Sequence, residues 1–516
     1  MELDRTKNAL RNIIWGVVEK ITLLLLPFIT RTVLIKILGA EYLGLNTLFV
    51  SILQVLSVSE LGFGSAIVFS MYKPIAQDDN KTLCALLNLY KKIYHYVGSA
   101  ILVLGIAIIP FLHLFVKGDV PADVNLYSLY LIFLLNTVIS YFLFAYKTAL
   151  FSAFQRNDVQ SKRNSLISFV SNSLQIILLL TLHNYYAYVL VIPLGTVLTN
   201  LVNAYYAKKM YPDIVCKGDI SKEMKDGIKK RVIGLLSYKV YILICYSIGA
   251  IVISAYIGLK PLALYNNYSA IINIFYGFLD IVSTSLIAGI GNKMICESKE
   301  KIYVDFKNYL FVYGWISSFF VVLLASIFKN FMIIWLGNEF LLPSLTVVLL
   351  LLNFMIARVA NNVIYTYRQA AGLWWEDRFN PIVQAIANIS LCLFLVNKIG
   401  INGVIIATTF SSLCIGVPWG GLILFRYFFK RSILEYYKLI FFYMTVTLFA
   451  CFVCYYLCNI LIISNSLLAL FMKIVITFWV SNIIFFTFYH KLKEFDYLKS
   501  KIIEVYQRFV LKYKTN

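Results

Sequence analysis

The sequence predicts an all-α integral membrane protein with about fourteen transmembrane helices, built as two parallel six-helix lobes followed by two extra helices. Three observations predict this class. The chain has 516 residues, of which 60% are hydrophobic, and its mean hydropathy is +0.79. Apolar runs of about 20 residues recur along the whole chain, and each can cross ~30 Å of hydrocarbon as a helix. The second half of the sequence also repeats the first at a fixed offset of 219 residues.

The apolar runs are much longer than the strands of a membrane barrel, which need only about ten residues each. Helices are therefore the structure that can satisfy the backbone hydrogen bonds of these runs in lipid. The predicted spans are 12–37, 43–71, 93–116, 125–147, 165–182, 186–207, 232–257, 262–290, 308–328, 343–366, 379–397, 402–425, 437–459 and 465–488.

The net charge of +21 is distributed as a topology signal. Most basic residues fall in alternate connections, on the same side as both termini. The opposite side receives only five lysines. By the positive-inside rule, both termini are predicted to be cytoplasmic, and nucleic acid is not expected as a partner. The basic loops also suit weak binding to anionic membrane lipid. The five lysines of the outer side are Lys36, Lys117, Lys260, Lys329 and Lys398.

The repeat pairs Gly39 with Gly258 and Gly118 with Gly337, so turns recur at matching places in both halves. Each half contains six predicted spans. Because six is even, both halves enter the membrane in the same orientation, as a parallel repeat. The predicted organisation is an N-lobe at 1–207, a cytoplasmic linker at 208–231, a C-lobe at 232–425, extra spans within 426–488 and a basic cytoplasmic tail at 489–516.

Eight ionisable residues lie within the predicted spans. Each costs roughly 2.5–3.5 kcal/mol at a helix centre, so each needs a partner or water. Two of the lysines correspond in the repeat, and two acidic residues correspond to within one position. The eight residues are Glu19, Lys20, Arg31, Glu60, Lys239, Asp280, Arg358 and Lys473.

Two interpretations of these charges remain open. In the first, a water-filled cavity between the lobes holds an anionic substrate group and a coupling cation or proton. In the second, Lys20–Glu60 and Lys239–Asp280 are ion pairs that only hold helices together. In the first interpretation, the substrate-binding cations are Lys20, Arg31, Lys239 and Arg358, and the ion-coupling groups are Glu60 and Asp280.

Three further residues are candidates for shaping the helices. Pro27 shares a face of span 1 with Lys20 and Arg31 and is expected to kink that helix. Gly62 and Gly64 allow a hinge or a close approach of helices in span 2. No metal site is expected, because the cysteines of span 13 have no histidine or acidic residue near them.

The chain resembles a known family most strongly in residues 9–67. The segment has a basic start with Asn12, then Arg31, then the turn ILGAEYLG at 37–44, and then SELGFGSA at 59–66. The chain resembles the Wzx-type polysaccharide repeat-unit flippases of the multidrug/oligosaccharidyl-lipid/polysaccharide exporter superfamily. The plan of spans and linker extends this resemblance over the whole chain.

The resemblance implies two lobes in a V, alternating access, and a location in the bacterial plasma membrane. It implies a substrate made of an oligosaccharide on undecaprenyl pyrophosphate, destined for O-antigen, capsule or exopolysaccharide. It also implies a cationic cavity, which Lys20, Arg31, Lys239 and Arg358 could supply here. A polysaccharide polymerase and chain-length machinery are possible partners. No cofactor is expected, and Na⁺ and H⁺ remain open as the coupling ion.

Three alternatives differ in what they require of the sequence. A cation-coupled multidrug exporter favours an acidic cavity, whereas four basic and two acidic candidates are present here. A flippase of the peptidoglycan precursor belongs to the same superfamily and is left open. A membrane polymerase or ligase is an enzyme and needs a sizeable outer loop with catalytic acids, which this sequence lacks. Enzymatic activity is therefore not expected.

Overall fold

The computed structural model describes residues 5–57, 62–118, 120–243, 247–460 and 465–514. These residues form helices joined by short connections and contain no β-strand, so the predicted all-helical class is confirmed. The α-helices are α1 Arg5–Ile37, α2 Ala40–Leu56, α3 Phe63–Ala76, α4 Asn80–Ile108, α5 Leu126–Phe142, α6 Thr148–Ala153, α7 Asn157–Leu182, α8 Tyr185–Met210, α9 Lys222–Leu243, α10 Gly249–Tyr256, α11 Leu259–Cys296, α12 Lys299–Trp335, α13 Ser344–Met355, α14 Asn362–Ala370, α15 Asn380–Ile399, α16 Ile401–Phe410, α17 Val417–Ile423, α18 Leu434–Ile460, α19 Ser466–Tyr489 and α20 Lys493–Lys514.

Within the described ranges, ten helices are long and apolar enough to cross a membrane. The number is eleven if α5 and the segment that follows it, which bend by 47°, form one span. The other three predicted spans fall on α1, on α2 with α3, and on α9 with α10. The chain is thus a multi-pass membrane protein, and the count of fourteen spans stays a prediction.

The chain forms two compact units. The first comprises Met1–Asn266 with Val396–Ile401, and the second comprises Asn267–Leu395 with Asn402–Asn516. In the first unit, α1 packs along α7, α7 along α8, and α4 along α5. The predicted lobe limits at 207 and 232 stay a prediction.

In the second unit, α12 packs against both α18 and α19, the two helices that correspond to the extra spans. Aromatic side chains make much of this contact. The ring of Phe311 lies 5.6 Å from that of Tyr489 and 6.2 Å from that of Tyr443, and Trp315 lies 5.9 Å from Phe485. Such pairs add to the dispersion energy that holds helices together where lipid supplies no hydrophobic driving force.

The 219-residue repeat recurs in the backbone. Gly39 and Gly258 have φ of 116° and 134°, and α2 and α11 begin at the residue that follows each of them. Gly118 and Gly337 have φ of 86° and 104°. Only glycine adopts these conformations without strain, so corresponding helices start at corresponding positions.

The same correspondence appears at the start of α4 and α12. The carboxylate of Asp79 accepts a hydrogen bond from the Thr82 N–H, and its counterpart Ser298 accepts one from the Lys301 N–H. The hydroxyl of Thr82 also donates to Asp79, and together these bonds hold the pKa of Asp79 below its usual value. Both residues therefore act as N-caps, one ionisable and one neutral.

The structure departs from the predicted elements at two places. The predicted span 43–71 is divided, because α2 ends at Leu56 and α3 begins after Gly62, whose φ is 111°. The predicted linker is largely helical, and only residues 211–221 separate α8 from α9. This short segment is held against α4 by Asn88, which donates to the Gly218 carbonyl at 2.8 Å, and by Lys92, which lies 3.1 Å from Asp219.

Candidate substrate and ion site

The membrane helices of the two units each hold an arginine with a defined set of partners. Arg31 belongs to the first unit and Arg358 to the second. Lys20 is exposed on α1. Lys239 lies in α9, but its side chain and the whole of Glu60 fall outside the described part of the structure. The predicted pairs Lys20–Glu60 and Lys239–Asp280 therefore stay predictions.

Arg31 is bound by neutral groups. Its Nη2 donates to Oδ1 of Asn266 at 2.7 Å, and its Nη1 donates to the carbonyl of Asn266 at 3.3 Å. Among the described residues no carboxylate contacts this guanidinium. A half-buried cation satisfied only by amide oxygens keeps its full charge available to an anion.

Asn266 is fixed in place by the residue that corresponds to it in the repeat. Its Nδ2 donates to Oγ1 of Thr47, which lies 219 positions earlier in the chain. Close to this contact, α2 and α11 approach tightly, because a Cβ on Gly44 would collide with the carbonyl of Leu259. Thr47 and Asn266 were not among the predicted site residues, although the repeat offset alone relates them.

Arg358 is bound by a carboxylate. Its Nη1 and Nη2 donate to Oδ1 and Oδ2 of Asp280 at 2.5 Å and 3.1 Å, which forms a bidentate pair. The Arg358 side chain is 9% exposed, whereas that of Asp280 is 53% exposed. The structure thus brings together one predicted substrate-binding residue and one predicted ion-coupling residue.

A neutral network surrounds this pair. Nη1 of Arg358 also donates to Oδ1 of Asn362 at 3.1 Å, and Nδ2 of Asn362 donates to Ser283 at 2.6 Å. The hydroxyl of Tyr309 donates to the same serine at 3.2 Å. The guanidinium also lies 4.1 Å from the ring centre of Tyr276, a cation–π contact. The spacing of Arg358 and Asn362 by four residues is the sequence signal that could have identified this network.

Arg358 lies in a π-helical turn, Ile356–Asn361, inserted between α13 and α14. Such turns are rare, and many of them occur at functional sites. The described residues of this unit contain two further π-turns, at Ser411–Gly416 and Leu424–Phe429.

The predicted hinge and packing residues have distinct surroundings. Pro27 is exposed on α1, and the helix continues through it from Arg5 to Ile37. Gly62 begins α3, and a Cβ on Gly64 would lie 2.7 Å from the hydroxyl of Tyr90. Gly64 therefore permits close packing of α3 on α4.

The remaining membrane charges are bound to amides of neighbouring helices. Glu19 accepts a hydrogen bond from Asn164 on α7 at 2.9 Å. Lys473 is 6% exposed, and its Nζ donates to Asn330 on α12 at 2.8 Å. Within the described ranges, no three His, Cys, Asp or Glu side chains lie close enough together to hold a metal ion.

Three comparisons relate this chain to known proteins. The sequence profile of a family described as "Polysaccharide biosynthesis protein" matches residues 9–287, more than half of the chain. The comparison with curated proteins gives no match.

Solved structures of several transporters share the fold. The lipid II flippase MurJ, in an inward closed conformation, has a TM-score of 0.68 and 17% sequence identity, with 93% of this chain and 99% of MurJ covered. An inward-facing multidrug resistance MATE family transporter of the MOP superfamily has a TM-score of 0.61 and 13% identity, covering 78% and 94%. A MOP superfamily transporter from Pyrococcus furiosus, described with a binding pocket of reversed polarity, has a TM-score of 0.54 and 13% identity, covering 83% and 97%.

Proposed function

The chain belongs to the polysaccharide biosynthesis protein family, and we propose that it is a flippase for undecaprenyl-pyrophosphate-linked oligosaccharide repeat units. In this proposal, the protein moves the repeat unit from the cytoplasmic to the outer leaflet of the bacterial plasma membrane. The outer-leaflet product then serves surface polysaccharide assembly, with a polymerase and chain-length machinery as downstream partners. In this proposal both termini are cytoplasmic, which the distribution of basic residues supports.

The observation that carries this proposal is the pair of arginines held inside membrane helices. A guanidinium in a membrane is costly, so its retention calls for an anionic partner at some stage of the protein's cycle. Arg31 has amide partners alone among the described residues. Arg358 is matched by one accessible carboxylate, that of Asp280. Pyrophosphate carries several charged oxygens and is a strong acceptor for arginine where water is scarce.

Lys20 and Lys239 extend this cationic set in the proposal. Lys20 is exposed on α1, and among the described residues it has no hydrogen-bonding or ionic partner. An exposed lysine on a membrane helix suits a first contact with an anionic headgroup, because its long side chain can follow the group as it moves.

Transport in this proposal proceeds by alternating access, with the substrate site open first to one leaflet and then to the other. A coupling ion, Na⁺ or H⁺, would be bound by Glu60 or Asp280. A cation-coupled drug exporter is less well supported, because basic candidates outnumber acidic ones within the membrane helices.

A second candidate substrate is lipid II, the lipid named for MurJ. The fold match to that flippase, which covers 93% of this chain, favours this alternative. The two candidates differ in the sugar part of the substrate, so the intermediate that accumulates in cells without the protein distinguishes them.

The test is mass spectrometry of lipid extracts from a deletion strain, together with analysis of its surface polysaccharide. We expect the lipid-linked repeat unit to accumulate and the surface polysaccharide to be lost, and the wild-type gene to reverse both. Accumulation of lipid II instead would favour the second candidate. Unchanged lipids and polysaccharide would refute both, and dye efflux would then test the drug-exporter alternative.

A variant series connects this test to the site. Arg31→Ala and Arg358→Ala are expected to restore less than a tenth of the polysaccharide that the wild-type gene restores, at equal protein levels in the membrane. Arg378→Ala is the matched control, since Arg378 stacks on Trp375 in a connection between helices rather than within one.

A further inference from the structure

We propose that Asp280 is an internal placeholder in the anion site of Arg358, and that the pyrophosphate of the substrate displaces it. This inference rests on the proposed function, because it names where one phosphate group binds and what leaves when it arrives. It goes beyond that function by assigning Asp280 a competing role rather than only a coupling role.

The geometry of the pair is the geometry of phosphate recognition. Two N–H groups of one guanidinium meet two oxygens of one acid, at 2.5 Å and 3.1 Å. Carboxylate and phosphate oxygens are spaced similarly, so the same fork binds either group. An anion that replaces Asp280 needs no rearrangement of the arginine.

The arginine is the fixed member of the pair and the carboxylate is the accessible one. Arg358 is 9% exposed and is held by Asn362 and by the ring of Tyr276. Asp280 is 53% exposed, and Arg358 is the one side-chain partner that its carboxylate has among the described residues. A rotation about the Asp280 side-chain bonds therefore opens the site, whereas moving Arg358 would break several contacts.

One donor of the guanidinium is still unused. Nε of Arg358 is buried and has no hydrogen-bond acceptor among the described residues. A carboxylate offers two oxygens, and both are taken by the Nη groups. The pyrophosphate of a lipid-linked sugar offers two charged oxygens on each of its two phosphorus atoms, so its second phosphate can supply an acceptor for Nε, which costs about 1–3 kcal/mol while it is left unpaired.

The exchange also explains why a placeholder is useful. Leaving a buried arginine without a counter-charge costs several kcal/mol, so Asp280 stabilises the protein while no substrate is bound. Displacement by pyrophosphate keeps the arginine paired and leaves the Asp280 carboxylate exposed and unpaired. That carboxylate is then free to bind a coupling cation or proton.

The test is binding of inorganic pyrophosphate to the purified full-length protein in detergent, measured by calorimetry at low ionic strength. Asp280→Asn removes the competing charge and keeps the size of the side chain, so we expect binding at least tenfold tighter than in the wild type. Arg358→Lys keeps the positive charge but loses the two parallel N–H donors of the guanidinium. We expect it to weaken pyrophosphate binding at least tenfold, both in the wild-type background and in the Asp280→Asn background.

The matched control is Asp377→Asn. Asp377 also pairs with an arginine, Arg368, but its side chain is only 14% exposed, and that of Arg368 is 6% exposed. Removing its charge has the same effect on the net charge of the protein, yet no accessible anion site results. We expect pyrophosphate affinity to stay within twofold of the wild type in this variant.

Unchanged or weaker pyrophosphate binding in Asp280→Asn would overturn the proposal. An equal gain of affinity in Asp377→Asn would also overturn it, and so would the absence of binding in every protein of the series. If Asp280→Asn does not fold, Asp280→Ser provides the same comparison. The lipid analysis of the deletion strain is independent of this result. If Asp280→Asn binds pyrophosphate more tightly but the lipids of the deletion strain are unchanged, the anion site is supported and the flippase function is refuted.

Discussion

Asn266→Leu removes the side chain that binds Arg31 while leaving the backbone carbonyl, which accepts at 3.3 Å, in place. Two hydrogen bonds are lost. The bond from Arg31 to Oδ1, at 2.7 Å, involves a charge and contributes about 1.5–3 kcal/mol. The bond to Thr47 is neutral and contributes about 1 kcal/mol. Because leucine has a similar size, packing changes little, and we expect the free energy of unfolding to fall by about 3 kcal/mol.

The assay is unfolding of the purified protein in mixed detergent and dodecyl sulfate micelles, followed by tryptophan fluorescence. A double-mutant cycle with Arg31→Met isolates the interaction. Once the cation is gone, Asn266→Leu should cost about 1.5–3 kcal/mol less than it does in the wild type.

Thr346→Val is the control for a neutral contact of similar length. Its hydroxyl donates to Asn402 at 2.7 Å in the other unit, so its loss should cost about 1 kcal/mol and be additive with Arg31→Met. A cost below about 0.5 kcal/mol for Asn266→Leu, or full additivity with Arg31→Met, would refute the view that Asn266 holds the arginine.

The remaining predictions concern the framework. Asp79→Ala should lower thermal stability at neutral pH, where the ionised carboxylate caps the helix. It should have little effect below the lowered pKa of Asp79, because the protonated carboxyl caps poorly, and melting curves across pH test this. Ser298→Ala removes the corresponding neutral cap and should cost about 1 kcal/mol at every pH. Gly44→Ala should destabilise by about 1–3 kcal/mol in the unfolding assay, because its methyl group meets the backbone of a neighbouring helix. Asn330→Ala should lower the free energy of unfolding by about 1.5–3 kcal/mol in that assay, because the Lys473 charge loses its partner. Lys473→Met should lower it less, since it leaves no buried charge unpaired, and equal costs would contradict this reasoning.

The repeat is the part of the structure that sequence reasoning predicts best. The offset of 219 residues pairs Gly39 with Gly258, and both glycines adopt a left-handed φ immediately before a helix. The same offset pairs Thr47 with Asn266, which bond to each other. A duplicated sequence preserves turns because a glycine at a positive φ is required locally, whatever the helices pack against.

The partners of the charged residues are much less predictable. The pair Lys239–Asp280, suggested by equal depth in the membrane, stays a prediction, and the sequence did not suggest the contact of Asp280 with Arg358, 78 residues away. Depth along a helix follows from counting residues, but which side chain faces which depends on how the helices are rotated and packed. The π-turn that contains Arg358 alters that rotation locally, and no feature of the composition marks it.

The membrane class, the duplication and the identity of the charged residues within the membrane can all be read from the amino-acid sequence. These properties depend on hydropathy, spacing and residue type, which a single chain displays without any tertiary contact. The amide partner of Arg31 and the accessible carboxylate partner of Arg358 become visible when the helices are packed together. The reason is physical: a charge in a membrane must find a partner, but packing across helices selects which one.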